Sequence, residues 1–166
     1  MNIIKSTHDW FVTAGQANVD GTPNFRQIAF YLGMQVEELN EKLALVLGKD
    51  SQLVAYIENL ATGLKNGSLD AQVENAVRAN PKDWLDGDLD VIWVTIGSLA
   101  ASGANGEGGY AHVGERNWAK FPGGVVTRHP QTGKVIKPEG WTPPDLTPFV
   151  HPSLLNPPTA DDLNGM

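Results

Sequence analysis

Three glutamates in the stretch "MQVEELNEKLALVL", Glu37, Glu38 and Glu41, stand within five residues of one another in an otherwise largely apolar segment. Carboxylates at such spacing repel unless something positive lies between them, and a divalent cation with oxygen ligands is the simplest solution. A second acidic group occurs at "DGDLD", where Asp86 and Asp90 are four residues apart and Asp83 lies one helical turn earlier. Spacing of i, i+4 puts both aspartates on one helical face. Two acidic helices suit a shared oxygen-ligand site for Mg²⁺ or Mn²⁺. A calcium loop fits poorly, because its twelfth position, which needs Glu, would be Gly97. A basic group follows: Arg116, Lys120, Arg128, Lys134 and Lys137. Lys and Arg near a metal site point to a polyphosphate substrate.

The chain around these groups has 166 residues, 41% hydrophobic and 19% charged, which is enough for one domain with a core. A net charge of −7 disfavours a nucleic-acid polymer as partner, since phosphate backbones need clustered cations. There is no cysteine, so neither a disulfide framework nor a thiolate zinc site is available. "MNIIKSTHDW" has no signal-peptide character and no run of 18 apolar residues exists, which leads to the expectation of a soluble, cytoplasmic protein without membrane contact. His8, His112, His129 and His151 are scattered and read as structural or exposed, with His112, near the basic segment, as the one to watch.

The elements that must position these groups read as helices. Asn24 caps a helix that ends near Gly48, with Leu32, Val36, Leu39, Leu43 and Val46 as its core stripe. On a wheel of about 100° per residue the three glutamates fall opposite that stripe, beside Phe30, Met34, Ala44 and Leu45. A second helix spans "DSQLVAYIENLATGLKNG", capped by Asp50 or Ser51 and ended by Asn66-Gly67; a shorter one in "SLDAQVENAVRANP" stops before Pro81. "KDWLDGDLDVIWVTIGSLAASG" reads as a buried helix ending at Gly103, and "GANGEGGY" as a flexible loop. "AHVGERNWAKF" reads as a short helix or turn, and the segment from Gly123 as a small hairpin. Residues 1–24 are mixed, with Trp10 and Phe11 as anchors; Trp93 and Trp118 are further aromatic positions that suit packing more than base stacking. From Pro138 onward seven of the eleven prolines give an extended arm. The expected organisation is a domain over residues 1–146 and an arm over 147–166.

These residues resemble the all-α nucleoside triphosphate pyrophosphohydrolases, the MazG and phosphoribosyl-ATP pyrophosphohydrolase superfamily. "EELNE" at 37–41 resembles its EExxE motif, and "DGDLDVIWVTIGSLAASG" its second acidic helix. "ERNWAKF" with "GKVIKPEGWTPPDL" resembles the SNxxKF and GKxxKPxGxxxPDL ending of phage-encoded members. The resemblance implies a MazG-like helical bundle in which Glu38 and Glu41 bind metal and Glu37 is a further ligand or the base. It makes Asp90 the aspartate of the ExxD motif. The glutamate of that motif is replaced by Gly87, which leaves Asp86 as the substitute ligand. Asn117 and Lys120 match the SNxxK element and would hold substrate phosphates, with Arg116, Lys134 and Lys137 beside them. The implied reaction uses two or more Mg²⁺ or Mn²⁺ ions: water, activated with help from Glu37 or Glu41, attacks phosphorus, giving a nucleoside monophosphate and pyrophosphate. The implied substrate is a purine (d)NTP such as dGTP, as for the MazZ-like phage branch, and the implied assembly a homodimer or homotetramer. Phosphoribosyl-ATP hydrolysis, a non-catalytic scaffold and a nucleotide sensor are the competing readings, the scaffold motivated by Gly87.

Overall fold

The computed structural model describes residues 3–130 and 135–156, and across these it is helical, with no β-strand among the described residues. The chain divides into two compact units: a middle unit, Phe11–Leu85, and a terminal unit assembled from Met1–Trp10 and Asp86–Met166. The division falls inside two helices, α1 (Ile3–Thr13) and α5 (Pro81–Ala101).

The middle unit is built on α2 (Phe25–Leu47), α3 (Gln52–Asn66) and α4 (Asp70–Ala79). Local chemistry sets their ends. The Asn24 side chain accepts the Gln27 amide at 3.1 Å, satisfying one of the amides a helix start leaves unpaired. Gly48 and Gly67 follow α2 and α3 with φ of 85° and 94°, backbone that L side chains rarely adopt. Arg26 reaches across to donate to the carbonyls of Leu64 and Lys65 at the end of α3, and to Asp70 at 3.4 Å. Ala29, Leu64 and Val73 are the buried centre, with Ile28, Leu32, Val36, Leu69, Val77 and Trp84 packed around them.

The contact face of α2 follows the leucine stripe expected from periodicity at Leu32 and Val36, which pack on the buried centre, and departs from it further along. Leu39 is 57% exposed and Val46 81%, whereas Ala29, Gly33 and Asn40 are buried. Small residues decide the face: Gly33 meets Ala61 and Leu64 of α3 so closely that a Cβ there would lie 3.0 Å from the Ala61 carbonyl oxygen. Asn40 donates to the Val54 carbonyl at 3.0 Å across the same seam.

In the terminal unit, α6 (Gly106–Trp118) begins within the glycine-rich stretch expected to be a loop. Asn105 caps it by accepting the Gly108 amide at 3.0 Å. Close packing explains two of its glycines: a Cβ on Gly108 would fall 2.9 Å from the Phe149 ring, and one on Gly106 3.1 Å from Leu99. Residues 147–156 of the proline-rich segment hold a 3₁₀ turn, Thr147–Phe149, and a short helix α7, Pro152–Leu155. The Phe149 carbonyl accepts the Asn105 amide at 2.9 Å, so this stretch is docked on the start of α6. Of the expected hairpin the structure contains an antiparallel bridge between Arg128 and Val135 and the Ile136 amide bonded to the Thr127 carbonyl at 2.9 Å. Its turn, residues 131–134, and residues 157–166 of the arm lie outside the described residues.

α1 was not legible as a helix. Long-range contacts hold it: Thr7 shares a hydrogen bond with Tyr110, and Trp10 stacks on Phe121 at 5.2 Å. On the other side of the division, Phe11 packs edge-on to Tyr31 at 4.9 Å. α5 is helical as expected, but none of its residues is buried; Trp93 is 79% exposed. Apolar residues occur on every side of its second half, so no single neighbouring surface can cover them all. No helix among the described residues is long and apolar enough to cross a membrane.

Candidate functional site

Glu37, Glu38 and Glu41 all lie on α2 in the middle unit, but in different surroundings. Glu38 and Glu41 are exposed and one turn apart, hence on one face. Glu37 is half-buried and accepts a 2.6 Å ion pair from Lys65 of α3, whose side chain is likewise 20% exposed. Lys65 therefore meets part of the repulsion that the sequence leaves open at this acidic cluster. Replacing Lys65 by Met, which keeps the aliphatic stem beside Gly33, is expected to lower stability by about 1–2 kcal/mol by leaving a half-buried carboxylate unpaired. Adding Glu37→Gln should recover at least half of that loss in urea denaturation; no recovery would show that Lys65 acts through packing alone.

Asp86 and Asp90 lie on α5 in the terminal unit, both exposed. A Cβ at Gly87 would meet nothing within 4 Å. Within neither unit, among the described residues, are three or more His, Asp or Glu side chains gathered to hold a metal ion. By chemistry the donors fit a hard cation, being carboxylate oxygens throughout.

The basic residues are brought together more tightly. Arg116 and Asn117 end α6, Lys120 follows it, and Lys137 returns from the segment beyond the bridge. All but Asn117 place their cations around one indole, that of Trp141. The Lys137 Nζ is 4.6 Å from the ring centroid, the Lys120 Nζ 5.3 Å and the Arg116 Cζ 5.8 Å. The Lys120 Nζ also donates to the Asn117 Oδ1 at 2.7 Å. Arg116 donates through Nε and Nη2 to the Thr142 carbonyl, at 2.9 and 2.6 Å, and through Nη2 to the Thr142 hydroxyl at 2.8 Å. The Trp141 Nε1 donates to the Arg116 carbonyl at 2.8 Å, fixing the ring against the end of α6. Arg116, Asn117, Lys120 and Trp141 are half-buried and Lys137 is exposed. Three cations thus share one neutral ring, an arrangement that can take an anion. Lys134 lies outside the described residues.

Sequence reasoning missed Trp141 and Gly33. Trp141 stands among Gly and Pro in "KPEGWTPPDL", and only the return of that segment to α6 reveals it. Asp145 of the same string is a turn-former: the Thr147 hydroxyl and amide hold its carboxyl below the usual carboxylate range. His112 sits 5.7 Å from the Phe149 ring and 3.5 Å from a Glu115 carboxylate oxygen, as part of the docking of the 147–156 segment.

The chain matches no protein-family model, no curated protein and no solved structure.

Proposed function

We propose that this chain is a MazG-like, phage-type nucleoside triphosphate pyrophosphohydrolase that converts a purine (d)NTP, dGTP being the first choice, to the monophosphate and pyrophosphate. The observation that carries this reading is the grouping of Arg116, Asn117, Lys120 and Lys137 at Trp141 in a chain of net charge −7. Cations concentrated at one place on an acidic protein suit a polyphosphate. The ordered motifs that resemble the superfamily, EELNE, DGDLD and ERNWAKF, supply the rest.

In this reading Glu38, Glu41, Asp86 and Asp90 would hold Mg²⁺ or Mn²⁺, two ions or more. The ions, when bound, neutralise charge on the phosphate oxygens and activate water. Glu37, with Lys65 beside it, would take a proton from the attacking water or add a ligand. The lysines and Arg116 would orient the phosphate chain, and Asn117 steadies the Lys120 ammonium. The basic cluster, the 123–141 hairpin and the proline-rich arm belong to the phage-type ending of the family in this reading. Self-association as a homodimer or homotetramer is supported by α5. There Leu85, Leu89, Ile92, Ile96 and Leu99, at alternating four- and three-residue spacing, are between 38% and 59% exposed.

The test is pyrophosphate release from each of the eight common NTPs and dNTPs with Mg²⁺ or Mn²⁺. Release confined to one or two bases names the substrate. No release directs the assay to phosphoribosyl-ATP, and failure there favours the scaffold reading that Gly87 motivates. Gly87→Glu probes that gap separately. The position is open, and Glu is a better helix former than Gly by about 0.5–1 kcal/mol, offset by repulsion from nearby aspartates. Stability in EDTA should stay within about 0.5 kcal/mol of the parent chain. Mg²⁺ should raise the melting temperature of the variant more than that of the parent. Equal responses to Mg²⁺ would detach position 87 from any metal site.

A further inference from the structure

We infer that Trp141 is a positioning residue that holds Arg116, Lys120 and Lys137 ready for an oligophosphate chain. The identity of that ligand as a triphosphate rests on the proposed function.

The ring is anchored independently of the cations, because its Nε1 is bonded to the Arg116 carbonyl at 2.8 Å. All three cations lie within 6 Å of its centroid, and Arg116 is held besides by its bonds to Thr142. A free lysine side chain samples many rotamers, and fixing it on a ligand costs conformational entropy. Lys120 and Lys137 are confined beforehand by their attraction to the ring face, and Lys120 also by Asn117. A ring is better suited to this than a carboxylate. It attracts the cations without neutralising them. Trp141 carries no charge and no acid–base function, so its contribution falls on binding and leaves the chemical step untouched.

The probe is inorganic tripolyphosphate, titrated calorimetrically into the full chain in EDTA. Trp141→Leu removes the ring, and Trp141→Phe keeps a ring but loses the Nε1 anchor. The expected result is tripolyphosphate binding by the parent chain, weakened about tenfold by the Leu variant and about threefold by the Phe variant, the scale of lost cation–π contacts. In turnover, KM should rise by similar factors with kcat unchanged.

Parent-like affinity in the Leu variant, or a fall in kcat at constant KM, overturns the assignment, as does absence of tripolyphosphate binding by the parent chain. Circular dichroism checks the fold. If the Leu variant does not fold, the Phe variant decides: a threefold loss sustains the role and parent-like affinity refutes it. The two readings fail separately. Trp141-dependent tripolyphosphate binding without pyrophosphate release from any nucleotide would remove the proposed activity and leave this site standing. Pyrophosphate release with tripolyphosphate binding indifferent to Trp141 would do the reverse.

Discussion

Replacing Glu38 and Glu41 together by Gln is expected to lower pyrophosphate release by about a thousandfold or more, the scale on which a preorganised electrostatic group acts. Gln keeps the size and the helix propensity of Glu and removes only the charge. Both positions are exposed on α2, so stability in EDTA should change by less than about 0.5 kcal/mol. The contrast is the informative part: activity lost, fold kept. A melting series in Mg²⁺ adds a second readout, because an ion bound only by the folded state raises the melting temperature. The parent chain should gain from Mg²⁺ and the double variant should not. Full activity in the double variant would exclude EELNE as the metal box.

Gly33→Leu is expected to have the largest effect on stability, a loss of about 3 kcal/mol. Even a lone Cβ at this position would lie 2.8 Å from the Lys65 Cγ, 3.0 Å from the Leu64 Cβ and 3.0 Å from the Ala61 carbonyl oxygen. The lysine stem can swing away, but the backbone oxygen of α3 cannot. The two helices must therefore separate, which opens the buried centre at Ala29 and Leu64 and weakens the Asn40 bond to the Val54 carbonyl. Gly33→Ala is the milder form. Its gain of about 1 kcal/mol in helix propensity opposes the clash, leaving a net loss of about 1 kcal/mol. Urea denaturation measures both, and an Ala variant more stable than the parent would mean that the seam can widen freely.

What could be read in the sequence was the chemistry at several helix ends of the middle unit, although Ser51 precedes α3 without a side-chain capping bond. Asn24, the Gly48 and Asn66-Gly67 terminators and the stop before Pro81 act within a few residues, so they are visible without a fold. Faces were harder. Periodicity favours the largest apolar side chains, yet α2 meets α3 through Ala29 and Gly33, because a close seam requires small residues on both sides. The first glycines of α6 misled for a related reason: their propensity says loop, whereas Leu99 leaves little room for a Cβ at Gly106 and the Phe149 ring none at Gly108. α1 depends on partners as distant as Tyr110 and Phe121, and no local signal reports them. Among site residues, the cations were evident by type. The ring that gathers them was not, because an indole in a string of Gly and Pro has no meaning until residues 137–142 lie against α6.

The way the chain is divided has a consequence for its birth on the ribosome. The middle unit is one uninterrupted segment, residues 11–85, and all of it has been synthesised before α5 is complete. It can close early, as domains made first generally do. The terminal unit cannot: Thr7 and Trp10 are made well before their partners and wait for Tyr110 and Phe121, about a hundred residues later. During that interval the nascent chain carries a finished helical unit between an unpaired leading helix and the apolar run of α5. Slow translation beyond residue 85 would prolong that exposure.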